Sequence, residues 1–288
     1  MNSEPTESKE VSQKSPFAGC AIFITAALVM LFLVVFSVVV LFRQFDAISK
    51  FTGEEPAVIE IVSLEDKDAE LNELAEKIEV FRLKVVADES AVLALSVTEI
   101  NLAISAFDSF KDLRGMFRVI EITPELMKFD ISFKLNGKPR LPKEGEPGMM
   151  GSDPRYLNGV LVAKPGLLNQ EFVLQVVDIN VTGAEVPEEF LEQMSPYRIA
   201  ERYIGTDGIG KIMAQLTDVS LAEGVLRFEK EAGAAPKDTI SNEQVDDASQ
   251  RLFTFLGIAA LIFLLLVAII LFFGLRLKKR QEAEAAQE

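Results

Sequence analysis

Apolar and polar residues alternate along this chain with two different periods, and they are absent altogether as an alternation at two places. Residues 17–42 and 252–275 are uncharged runs of 26 and 24 residues. At about 1.5 Å per residue each is long enough for a hydrocarbon core of about 30 Å, so the expectation is two transmembrane helices, one N-terminal and one C-terminal. The first run is too long for the apolar part of a signal peptide and no small-x-small cleavage site follows it, which favours an uncleaved anchor. The tetrapeptide Phe17 to Cys20 has the form of a lipoprotein box, but its apolar stretch lies on the wrong side of the cysteine.

Between the runs the period changes several times. Phe45, Ile48 and Phe51 keep one helical stripe beyond the first run, until Gly53 to Pro56 ends it. From Ser63, acidic residues followed by Leu71, Leu74, Ala75, Ile78 and Phe81 predict an amphipathic helix. Ala91 to Val97 reads as a strand, and Ser96 with Glu99 as a capping box for the next helix. Phe117 to Thr123 and Met127 to Asn136 alternate at period two and predict an antiparallel pair. Gly137 to Pro154, with four prolines and four glycines, predicts a long excursion. Strands at Tyr156 to Lys164 and Glu171 to Val181 follow, joined by PGLLNQ, then two short helices at Val186 to Met194 and Ser195 to Ile204. A helix near Ile209 and a hairpin turning at Glu223-Gly224 complete the alternation. The polar stretch from Glu231 reads as a tether, and Ser241 with Gln244 as a capping box leading into the second run, so that the two helices would project as a paired stalk. The expected fold class is α+β: an extracytoplasmic domain with a curled antiparallel sheet packed on helices, between two transmembrane helices. The expected division is a tail at 1–16, a span at 17–42, an acidic domain at 43–251, a span at 252–275 and a tail at 276–288.

Charge refines this picture. The whole chain carries a net −15, and residues 43–251 contain 23 basic and 38 acidic residues, so the acidity belongs to the central segment. Six basic residues lie on the terminal sides of the two runs (Lys9, Lys14, Arg276, Lys278, Lys279, Arg280) against four on the inner sides. That bias places both termini in the cytoplasm and residues 43–251 outside, in a multi-pass protein of the cell membrane. An acidic surface excludes nucleic acid as a partner.

The candidate chemistry is sparse. With no His, no Trp and one Cys, the chain has no His-dependent triad, no His/Cys zinc site and no internal disulfide. Gly205, Gly210 and Lys211 match G-x-x-x-x-G-K, but Ile212 stands where a phosphate loop needs Ser or Thr, and a helix-like stretch stands where it needs a strand. No carboxylate ladder selects a calcium or glycosidase site. Asn180-Val181-Thr182 has the form of a glycosylation acceptor. Met149 and Met150, flanked by glycines, are the candidate lip of an apolar groove. No catalytic residue, cofactor or metal is expected.

SVTEINLAISAF, EFVLQVVDINVTGAEVPEEFLEQM and DVSLAEGVLRFE together resemble the YpmS-like membrane-anchored extracytoplasmic proteins. That family has one N-terminal anchor, where this chain has a second apolar run. The resemblance implies an elongated curled sheet wrapped on helices, with an apolar groove and no catalytic residues. Two functions are therefore expected. The first is a non-enzymatic envelope protein with a structural or protein-interaction role, whose partners are the lipid bilayer and an envelope protein or a second copy of itself. The alternative is a membrane-tethered binding module for a lipid or other apolar ligand, distinguished from the first by an apolar groove in place of a solidly packed core.

Overall fold

The structure is a computed structural model that describes residues 16–148 and 151–240 and scattered positions between 261 and 276. The chain divides into two compact units, Gln44–Gln250 and Met1–Arg43 with Arg251–Glu288. Helix α1, Pro16–Ile48, covers the first apolar run. Among the described residues no helix is long and apolar enough to cross a membrane. Of 252–275 only separate positions are described. The expectation of two transmembrane helices is corrected accordingly. The multi-pass membrane placement, with both termini cytoplasmic and residues 43–251 outside, loses its basis with it.

The α+β class with antiparallel sheets is what residues 44–250 form. Strands β1 (Ala91–Ser96), β2 (Phe117–Ile122), β3 (Met127–Arg140), β4 (Gly151–Leu168), β5 (Glu171–Asn180), β6 (Asp218–Ala222) and β7 (Val225–Lys230) make two sheets, one ordered β2-β3-β4-β5 and the other β1-β7-β6. In the larger sheet the period-two pattern does its expected work: Met127, Phe129, Ile131 and Phe133 all point to one face, beside Val119 on β2 and Leu157 and Leu161 on β4, and all are buried. The β2–β3 turn is closed by Thr123, whose hydroxyl accepts from the Leu126 amide at 3.0 Å.

The larger sheet reaches further than its sequence indicates. Pro139 pairs with Ser152 and Arg140 with Gly151, so the expected excursion from Gly137 to Pro154 shrinks to 141–150. A register shift between Asn136 and Pro139 absorbs the proline, and Gly137 lies so close to the Asp153 carbonyl that a Cβ there would overlap it. At the hairpin end Arg140 donates to Glu146 at 2.8 Å and to Asp153 at 2.9 Å. At the other end, residues 165–168 belong to β4 rather than to a linker, and the turn is Asn169-Gln170 alone, both left-handed at φ 51° and 64°, the conformation a two-residue hairpin requires. Pro165 is tolerated there because β3 pairs with β4 only as far as Ala163, which leaves no ladder partner for the missing N–H.

The smaller sheet is the expected β6–β7 hairpin with β1 added alongside, Leu93 opposite Phe228 and Leu95 opposite Leu226. Helix α2 (Asp68–Val86) buries Leu74, Phe81 and Val85; it starts five residues after Ser63 because Asp66 is left-handed (φ 59°) and breaks the first turn. The capping box forms as read: Ser96 Oγ accepts from the Glu99 amide at 3.2 Å, and Glu99 accepts from the Ser96 amide at 2.8 Å, starting α3 (Val97–Ala106).

Asn101 on α3 then closes the open edge of β2. Its side-chain amide accepts from the Val119 N–H at 2.8 Å and donates to the Val119 carbonyl at 2.7 Å, in place of a neighbouring strand.

Helix α4 (Glu188–Met194) forms, but the second helix expected at Ser195 to Ile204 does not. Tyr197 instead exchanges two backbone hydrogen bonds with Leu174 on β5, at 2.9 and 2.7 Å, and only a short 3-10 turn at Glu201–Tyr203 follows before α5 (Ile209–Met213). The expected tether docks as well: the Thr239 hydroxyl accepts from the Leu167 amide at 2.8 Å, and Ile240 is buried against Leu168 and Val173. Phe51, placed by its spacing on a projecting neck, is 2% exposed and lies edge-on to Phe190. The Ser241/Gln244 capping box of the proposed stalk lies outside the described residues.

Two predictions follow from these contacts. Asn101→Ala leaves both backbone groups of Val119 buried and unpaired and lowers unfolding stability by about 3 kcal/mol, whereas Ser96→Ala lowers it by about 1 kcal/mol; urea denaturation of the two variants checks the ranking. At the hairpin end, hydrogen bonds from Arg140 and from the Lys143 amide hold the Glu146 carboxyl down to about 2, against an ordinary 4.5. The stabilisation from this depressed group is present above its ordinary value and lost as pH falls through about 2. A carboxyl-carbon NMR titration should give that midpoint in the parent chain and an ordinary carboxylate midpoint in Arg140→Gln.

Candidate functional site

The inner faces of the two sheets do not meet along their whole width. Phe172 of β5 and Phe228 of β7 touch edge to face at 5.5 Å, and beyond them a cavity of about 370 Å³ opens. Its floor is Phe117, Val119, Met127 and Phe129 of the larger sheet; its roof is Leu93, Leu95 and Leu226 of the smaller one. Ile78 and Phe81 of α2, Ile100 and Ala103 of α3, and the stretch from Ile199 to Met213 close the sides. Ala103 and Ala200 stand where larger residues would take up the space. The cavity reaches the surface between α2 and α5, where Gly208 is exposed and Ile78, Arg82 and Ile209 are half-buried.

Twenty-six residues line this chamber, and only Arg82 and Tyr203 among them have polar side chains. Both are already engaged. The Tyr203 hydroxyl donates to the Ser109 carbonyl at 2.6 Å, and burial pushes its phenol above the ordinary value. Arg82 donates from Nε and Nη2 to the two carboxylate oxygens of Glu79, each at 2.6 Å. Inside the chamber a polar atom finds no partner. Lined by carbon and open at one side, a chamber of about 370 Å³ leaves those apolar walls without the packing that protein interiors normally have. Water does not offset this, because it needs polar partners that these walls lack.

One wall is held from outside. From Tyr197 to Tyr203 the chain has little regular structure, yet it is fixed at four points. Besides the Tyr197 bridge and the Tyr203 hydrogen bond, Arg198 donates to Glu171 Oε2 at 2.6 and 2.9 Å, and Arg202 pairs with Asp112 at 2.9 Å. Glu171 is buried, and its Oε1 has no hydrogen-bond partner among the described residues. Arginine on one oxygen compensates this carboxylate, so the ion pair anchors the wall from the outer face of β5.

The residues singled out in the sequence fall elsewhere or take other roles. Met149 and Met150 lie outside the described residues, and among the described residues from 134 to 156 none lines the chamber. The glycines of the G-x-x-x-x-G-K match serve packing: Gly205 is left-handed (φ 71°), a Cβ at Gly210 would overlap the Tyr203 carbonyl, and Lys211 pairs with Asp207 at 2.6 Å. The turn before them is 3-10 and not a strand. Asn180 is exposed at the end of β5. Among the described residues no group of three or more His, Cys, Asp or Glu is placed to hold a metal ion.

Fold and cavity together define an antiparallel α+β unit built around an apolar chamber. No family model, no curated protein and no solved structure matches the chain.

Proposed function

We propose that residues 44–250 are a binding module for an apolar ligand, acting without catalysis. The observation that carries this reading is the chamber itself: about 370 Å³, more than twice the roughly 150 Å³ that takes up a benzene ring and within the about 300–1,000 Å³ range of small-molecule sites. Its lining supports a binder in preference to an enzyme, because neither Tyr203 nor Arg82 is poised to move a proton or attack a substrate. The structural or interaction role expected from sequence calls for a solidly packed core in place of a groove, and the chamber supports the alternative.

The test is a fluorescent apolar probe, N-phenyl-1-naphthylamine, titrated into the purified full chain. A saturable, blue-shifted signal is expected. Ala103→Phe, which fills the chamber from α3, should weaken probe binding about tenfold while raising the melting temperature of the ligand-free protein. Probe binding that is absent, or unchanged by Ala103→Phe, contradicts the proposal, since the signal would then come from another apolar surface of the chain.

A further inference from the structure

Among the described residues one cationic side chain, Arg82, borders the chamber, with its aliphatic stem against the apolar lining, and its position bears on which ligand fits. Arg82 lies at the opening on α2, half-buried, with 41% of its side chain exposed. It already grips a carboxylate in the two-pronged geometry that guanidinium favours, because Glu79 occupies Nε and Nη2. That carboxylate is a neighbour three residues away on the same helix, itself 52% exposed, and pairs of this kind contribute little. Nη1 makes no hydrogen bond among the described residues. A second carboxylate arriving at the opening therefore meets an arginine with one donor edge unused and the other held by a weak competitor. Deeper in the chamber nothing can pair with a polar atom, so any polar group of the ligand belongs at the opening.

Resting on the binding reading above, we infer that the chamber takes a single-chain amphiphile with a carboxylate head group, its hydrocarbon tail inside and its head on Arg82. Arg82 is then a specificity-determining residue and Glu79 its built-in competitor. The net negative charge of residues 43–251 opposes every anion at long range, so the preference is local and shows in ratios between ligands of equal tail length.

Dodecanoic acid and dodecanol, both below the concentration at which they aggregate, are competed against the fluorescent probe at pH 8 on the full chain and on Arg82→Gln and Glu79→Gln. The acid should displace the probe about tenfold better than the alcohol in the parent chain. Arg82→Gln should bring that ratio to about one, and Glu79→Gln should widen it by releasing the arginine. A ratio unchanged in Arg82→Gln, or narrowed in Glu79→Gln, overturns the inference. Failure of both compounds to displace the probe from the parent chain sinks the binding reading itself, not only the choice of head group.

Discussion

Asn101 holds the two sheets in register with each other. Helix α3 leaves β1, the first strand of the smaller sheet, through the capping box at Ser96, and five residues on the Asn101 amide makes two hydrogen bonds to Val119 on the edge of the larger sheet. Those bonds satisfy a buried N–H and a buried carbonyl that would otherwise be unpaired, each costing about 1–3 kcal/mol. They also fix how far α3 stands from the floor of the chamber. Because α3 is tied at its N-terminus and again at its middle, its apolar residues Ile100, Ala103 and Ile104 become a wall between the sheets and not a plug in the gap.

The chamber follows from that spacing. Phe172 and Phe228 prop one side of the two inner faces apart, α3 fixes another, and α2 with the 197–213 stretch completes the ring. Native interiors are normally filled to crystal-like density, and the positions that would fill this one are Ala103 and Ala200. The polar contacts that steady the walls, Arg198 with Glu171, Arg202 with Asp112 and Tyr203 with the Ser109 carbonyl, hold them without offering polar atoms to the space within. Rigid walls and an unfilled centre are the arrangement in which ligand binding contributes to stability, since a molecule that fills the space stabilises the folded state by mass action.

Much of the fold was legible where the signal is local. The capping box at Ser96 and Glu99, the period-two run from Met127 to Phe133, and the β6–β7 hairpin each depend on residues within a few positions of one another, and each formed as read. Signals failed where distant backbone decided. Pro139 and Pro154 in a glycine-rich stretch read as a loop, but both lie in paired strands, where Arg140 also bonds Asp153 across the pair. Pro196 before Tyr197 read as a helix start, yet Leu174, over twenty residues upstream, takes both backbone groups of Tyr197. The apolar runs read as spans, and among the described residues no helix meets that requirement. The chamber had no signature at all, because it is an absence of volume shared between Ala103 and Ala200, far apart in sequence. The methionines read as a lip, Met149 and Met150, lie outside the described residues, while Met127 and Met213 line the chamber.

Those two methionines make the chamber directly observable. With carbon-13 on the methionine methyl groups, NMR spectra of the full chain recorded under rising xenon pressure report which methyls gain a neighbour, because xenon enters dry apolar cavities. If the interior holds an apolar chamber that a ligand can occupy, the Met127 and Met213 signals shift in a saturable way while those of Met116 and Met194, which do not line it, stay in place. Signals of Met127 and Met213 that do not respond, or that move no more than those of Met116 and Met194, would mean that the space between the sheets is closed in solution and that this protein has no such chamber to fill.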